Sequence, residues 1–181
     1  VREILRVGNA MRSRNLMFDV DFQEHVCEGL PNRVLGEDAA MPNARPSKSF
    51  DELLTSYRDL RCLLHVTREG YEDGYNLSTL EAMACGRPVI TWFNELHAYS
   101  EVPPYVTAVD GVEVASAIKN LVDQPEMRDL LGARGRDWVA RHHGLDPVVD
   151  GVEAVARAIV DGEPIPAAVA ALPSRAAGVR S

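Results

Sequence analysis

Two short apolar runs, Cys62–Thr67 (CLLHVT) and Pro88–Trp92 (PVITW), bracket an acidic, glycine-punctuated turn and one short helical segment. No other stretch restricts the fold so tightly. Runs of this length, rich in Leu, Val, Ile and Thr, read as buried strands. A strand, a loop, a helix and a second strand in that order are the repeating unit of a parallel α/β sheet.

The flanking sequence continues the pattern. Ile4–Val7 (ILRV) is a strand that runs into a Gly8-Asn9 turn, with Arg12 and Arg14 just before an expected helix from Asn15 to about Glu28. Asn32–Gly36 is a second strand, and the Pro-, Asn- and Ala-rich stretch Glu37–Lys48 is expected to be a loop. Ser49 and Glu52 form a capping box at the head of a helix whose stripe is Phe50, Leu53, Leu54, Tyr57 and Leu60. Beyond Trp92 come a short strand at Tyr105–Val109 and three helical patterns. The first is carried by Val114, Ile118 and Leu121, the second runs from Pro125 to His143, and the last extends from Val148 to Val160. Strands alternating with helices predict a Rossmann-like, doubly wound, mostly parallel sheet with helices on both faces. With 181 residues, 46% of them hydrophobic, the chain can bury one core and is too short for two nucleotide-binding domains. The expected division is one domain over 1–162 and a tail or linker over 163–181.

Charge and composition exclude several classes. A formal net charge of -8 opposes a nucleic-acid backbone or an anionic membrane as the main partner, so any phosphate must be held by a local basic patch. Cys27, Cys62 and Cys85 are odd in number and widely spaced, which points to no disulfide framework or zinc site and to a reducing, cytoplasmic setting. No apolar run reaches the roughly 20 residues that span a bilayer, and no signal peptide opens the chain. A first residue of Val rather than Met suggests a fragment or a processed product.

The candidate site is the turn between the two bracketing strands. Gly70 and Gly74 allow a ligand close to the main chain, and the helix that follows opens with unpaired N–H groups near Asn76–Thr79, a seat for a phosphate. Glu81, one turn in, can meet hydroxyls that the phosphate carries. Ser78 and Glu81 also fit a capping box, which predicts a purely structural use of both. Arg12 and Arg14, after the first strand, fall at the carboxyl edge of the sheet, where α/β folds bind ligands. Asp19-Val20-Asp21 is read as a solvated helix face, since residues two apart on a helix do not converge on one ion. Asn94 or Glu95, after the second bracketing strand, can reach the same edge.

The stretch DGYNLSTLEAMACGRPVIT resembles the signature of GT-B glycosyltransferases that use nucleotide sugars, and the resemblance extends from about Ile4 to Ile159. It implies that this chain is the C-terminal, donor-binding half of the GT-B fold, without the N-terminal domain that holds the acceptor. It further implies a UDP- or GDP-linked sugar as substrate, no other cofactor, no metal, and transfer with retention. Residue by residue, the resemblance places Glu81 on the ribose hydroxyls and Asp73 near the transferred sugar. It also implies that the amides of Leu77, Ser78 and Thr79 approach the diphosphate, while Gly8, Asn9 and Arg14 occupy the diphosphate-binding places after the first strand. Asp73 stands where the family has a longer Glu, Asn76 where it has Gly, and Asn9 where it has Arg. The last change leaves Arg14, with Arg12, to carry the positive charge. Those departures also fit the alternative of a non-catalytic docking or assembly module with a degenerate donor site.

Overall fold

The computed structural model of the chain describes residues 3–68, 76–92, 104, 106–108 and 111–165. Among these, six strands form one parallel sheet: β1 (Ile4–Val7), β2 (Asn32–Leu35), β3 (Ala44–Arg45), β4 (Cys62–His65), β5 (Val89–Trp92) and β6 (Val106–Ala108). Their order is β3-β2-β1-β4-β5-β6, the doubly wound order of dinucleotide-binding sheets. The helices are α1 (Asn15–Phe18), α2 (Val20–Val26), α3 (Phe50–Asp59), α4 (Leu77–Ala84), α5 (Gly111–Asp123), α6 (Pro125–His143) and α7 (Leu145–Asp161).

Where both faces are covered a strand reads as a near-continuous apolar run, as β4 and β5 do. On one face, Ile4, Cys62, Leu64, Val66 and Ile90 pack with Val26 and Cys27 at the end of α2 and with Val114, Ile118 and Leu121 of α5. On the other, α4 packs against β4, β5 and α3. Complete burial raises the Cys62 thiol to about 12, which leaves it without thiolate chemistry at neutral pH. The buried cation Arg6 sits inside β1, where one guanidinium nitrogen donates to Asn32 Oδ1 at 2.7 Å. Loss of solvent lowers its pKa.

Two expected elements differ. The helix expected over 15–28 is broken at Asp19, whose left-handed backbone (φ 46°) ends α1 and starts α2. The expected loop 37–48 contains β3, which borrows its register from β2 through Val34↔Ala44 and Leu35↔Arg45. The Ser49 cap does form, with Glu52 N–H donating to Ser49 Oγ at 3.1 Å. The Glu52 carboxylate reaches one residue further back, to the Lys48 amide at 2.6 Å, and also takes Arg45. Those two donors, the amide first, hold its pKa below the usual carboxylate range.

The chain divides into two compact units, Val1–Arg136 and Asp137–Ser181, with the division inside α6. The sheet belongs to the first unit. In the second, buried Trp138 stacks on His142 with ring centroids 4.6 Å apart and lies tilted to His143 at 5.3 Å. Of the tail expected from residue 163, residues 166–181 lie outside the described ones. No helix among the described residues is long and apolar enough to cross a membrane.

Candidate functional site

The strand order reverses between β1 and β4: the chain passes from β1 outward to β2 and β3, then returns across β1 to β4. The register Ile4↔Cys62 and Leu5↔Leu63 brings the carboxyl ends of both strands to one level. Ligands of such sheets bind in the crevice outside that edge. Here one wall is the Gly8–Arg14 segment leaving β1, and the other is the exit from β4 with the start of α4.

The β1 wall is stitched to the exit of β2. Gly8 N–H donates to Leu35 O at 3.1 Å, Ala10 N–H to Glu37 O at 2.7 Å, and Glu37 N–H to Asn9 Oδ1 at 2.9 Å. Gly36 permits this approach, since a Cβ there would lie 2.1 Å from Gly8 O. Ala10 adopts a left-handed φ of 50°, at a cost of about 1 kcal/mol that the surrounding hydrogen bonds offset. Arg12 is committed. Its amide donates to Asp38 Oδ2 at 2.7 Å and its guanidinium pairs with both Asp21 and Glu24. The Glu24 bond, ahead of that to Asp21, raises the Arg12 pKa, while bonds from Asn15 and then Arg12 lower that of Asp21. Arg14 is exposed, stacks 4.7 Å over the Phe18 ring and has no carboxylate partner among the described residues.

The β4 wall is tied to the same segment. Arg68 N–H donates to Met17 O at 2.8 Å, and its guanidinium pairs with Asp19 at 3.0 Å. Asp19 and Asp21 therefore serve two different arginines.

The start of α4 differs from the capping box expected at Ser78 and Glu81. The N-cap is Asn76, two residues earlier: its Oδ1 accepts Thr79 N–H at 3.0 Å and the Ser78 hydroxyl at 2.6 Å. Thr79 Oγ1 donates back to Asn76 O at 2.8 Å. Ser78 and Glu81 are both inside the helix, so Glu81 caps nothing and its exposed carboxylate is not spent on a backbone amide. The Leu77 and Ser78 amides, in the first helical turn, have no intrahelical acceptor and donate to no other group among the described residues. The far end of α4 closes as a Schellman turn, with Arg87 N–H on Ala82 O at 2.9 Å and Gly86 N–H on Met83 O at 2.8 Å. Gly86 takes the required positive φ of 68° there.

Of the residues read as site candidates, the structure places Gly8, Asn9, Arg12 and Arg14 on one wall and Asn76, Leu77, Ser78, Thr79 and Glu81 on the other, all toward one sheet edge. Asp73 and Gly74 lie outside the described residues, as do Gly70, Asn94 and Glu95. Two buried side chains near α4, His65 and Tyr57, are not among the residues read as site candidates. His65, the one imidazole in the apolar run CLLHVT, brings Nε2 to 3.3 Å from Asn76 Nδ2. The Tyr57 hydroxyl has no partner of ordinary hydrogen-bond geometry. Burial first, and the nearby Glu81 carboxylate second, push its pKa well above the phenol range.

The strand order and the crevice define a Rossmann-like domain. A family model described as glycosyl transferase-like matches residues 15–153, and the chain belongs to that family. Among solved structures, sucrose-phosphate synthase from Thermosynechococcus elongatus aligns at a TM-score of 0.63 and 16% identity, over 90% of this chain and 46% of that one. The C-terminal domain of a glycosyl transferase group 1 family protein from Francisella tularensis aligns at 0.56 and 15%, over 79% of this chain and 87% of that one. A structure described as trehalose-6-phosphate from E. coli bound with UDP-2-fluoro glucose aligns at 0.54 and 15%, over 77% and 40%. These likenesses establish the fold, and the chain spans less than half the length of the first and third. No curated protein sequence matches significantly.

Proposed function

We propose that the chain binds the nucleotide-diphosphate sugar donor of a glycosyltransferase. The observation that carries this reading is the start of α4 at the switch crevice, where the Leu77 and Ser78 amides are open and the exposed Glu81 carboxylate lies one turn further, spent on no backbone amide. In this reading the donor diphosphate lies against those amides and Arg14, and the Glu81 carboxylate accepts hydroxyls of the ribose. As the bond from the sugar to the diphosphate breaks, negative charge builds on the leaving group. Donors already fixed in place stabilise that charge without reorganising. Arginine and helix dipole supply the compensation a divalent ion would give, which fits metal-independent transfer, and retention follows from the family resemblance alone. Asp73 is assigned to the sugar, and the acceptor to a companion N-terminal domain. The neighbour described with UDP-2-fluoro glucose favours a UDP-linked donor, and a GDP-linked one is the alternative.

A docking module with a degenerate site is favoured by one fact, the commitment of Asn9 and Arg12 to structural bonds. Calorimetry with UDP and GDP decides between the two. The donor reading expects binding of one nucleotide, and about tenfold weaker binding in Glu81→Ala at an unchanged Tm, because Glu81 is no cap. No heat with either nucleotide, from protein with a folded circular dichroism spectrum, overturns it.

A further inference from the structure

Asn76 is unusually constrained for a helix cap. Its side-chain oxygen receives two donors, Thr79 N–H and Ser78 Oγ–H, so the atom turned toward His65 is its nitrogen. Nδ2 can only donate, and His65 Nε2 therefore acts as acceptor, which puts the ring proton on Nδ1. His65 ends β4 on the sheet face that α4 covers, and only 6% of it is exposed. An exposed cap rotates freely and yields to a competing anion. A cap whose amide is anchored from below does not.

We propose that His65 is a positioning residue that sets how many amides the crevice offers: by anchoring Asn76 it keeps the Thr79 amide covered and leaves the diphosphate only those of Leu77 and Ser78. The inference rests on the donor-site reading. A diphosphate reaches the third amide only by displacing the Asn76 side chain, and the His65 bond opposes that displacement. The pair thus trades anion affinity for a fixed helix start. It makes the phosphate seat narrower than a bare helix terminus, and weaker with its ligand.

The test uses inorganic pyrophosphate and UDP as probes, with binding measured by calorimetry on the full chain. Asn76→Gly uncovers the Thr79 amide and is expected to tighten both ligands about tenfold, the worth of one charge-assisted hydrogen bond. His65→Ala is expected to move affinity in the same direction by a smaller factor. His65→Gln, whose side-chain oxygen can still accept from Asn76, should bind like the parent. A loss of packing alone lowers affinity or leaves it unchanged, so a gain from a destabilising substitution separates positioning from mere structure. Unchanged or weaker binding in Asn76→Gly overturns the proposal while leaving the donor site standing. Hydrogen exchange at the Thr79 amide reads the anchor without any ligand: protection should fall in His65→Ala and be kept in His65→Gln. If His65→Ala leaves that protection intact, the anchor is refuted even where neither probe binds any variant, an outcome that would by itself refute the donor site. Should His65→Ala not fold, Asn76→Gly and His65→Gln carry the test.

Discussion

The two walls of the crevice are built in opposite ways. The β1 wall is held by side chains: Asn9 on the Glu37 amide, Arg12 between Asp21 and Glu24, and Asp38 on the Arg12 amide. The α4 wall presents backbone: two open amides at the end of a helix dipole, with one more closed by Asn76. Much of the formal positive charge on the first wall is therefore neutralised before any ligand arrives. On the second wall the donors are weaker singly but need no counter-ion and do not move. A crevice in a protein of net charge -8 cannot draw an anion by its overall field. It must do so with oriented dipoles and one free cation, and Arg14 is that cation among the described residues.

The comparison breaks most completely if the first wall is pushed away from the strand it is stitched to. In Gly36→Ala the new methyl would sit 2.1 Å from Gly8 O, against backbone that cannot rotate aside. Separation of the two segments strains the Gly8, Ala10 and Asn9 bonds together. A loss of about 3 kcal/mol in urea unfolding is expected. A loss under about 1 kcal/mol would mean that the turn floats and that the crevice has no fixed first wall.

Next in size is a paired substitution that assigns the two arginines to different tasks. Arg14→Ala is expected to weaken UDP about tenfold with little change in Tm, because it takes a cation from the crevice and breaks no ion pair. Arg12→Ala is expected to do the reverse: a measurable fall in Tm as Asp21 and Glu24 lose their shared partner, and UDP binding within about twofold of the parent. Calorimetry beside thermal melts reads both. If Arg12→Ala weakens UDP as strongly as Arg14→Ala, the first wall is a ligand surface and not a brace.

What was legible in the sequence follows the range of the forces involved. β4 and β5 could be read because burial on both faces leaves a near-continuous apolar run, while β1 and β2, which carry Arg6, Asn32 and Arg33, are read from shorter apolar stretches that end at Gly8 and Gly36. α6 could be read from Pro125 at its head and basic residues at its foot. The break at Asp19 could not, since a left-handed aspartate is held in part by Arg68, 49 residues away. β3 is two residues long and takes its strand character from β2 rather than from its own side chains. At the site, Ser78-x-x-Glu81 matches a capping box by local rules. The helix instead starts at Leu77, with Asn76 as its cap and His65 anchoring that cap from the neighbouring strand. Arg12 and Arg14 looked equivalent as cations on one turn. They separate only when the acids of α2 fold back onto Arg12 and leave Arg14 to the ring of Phe18.

The smallest effect concerns how the first wall responds to acid. Asp21 is exposed, yet bonds from Asn15 and Arg12 hold its pKa below the usual carboxylate range. A carboxylate whose folded pKa is depressed adds stability that is complete above the unfolded value of about 3.9 and is lost as pH falls through the folded value. Below that window Asp21 is neutral, and Arg12 loses one of its two carboxylate partners and keeps Glu24 alone. Asp21→Asn should therefore flatten the acid side of the stability-against-pH curve slightly and change nothing near neutral pH beyond the loss of one surface pair. Titration of Asp21 by carboxyl NMR gives the direct check. A midpoint at or above the ordinary aspartate value would show that Arg12 is not held there in solution, and the contrast between a braced wall and an open one would then lose its strongest side chain.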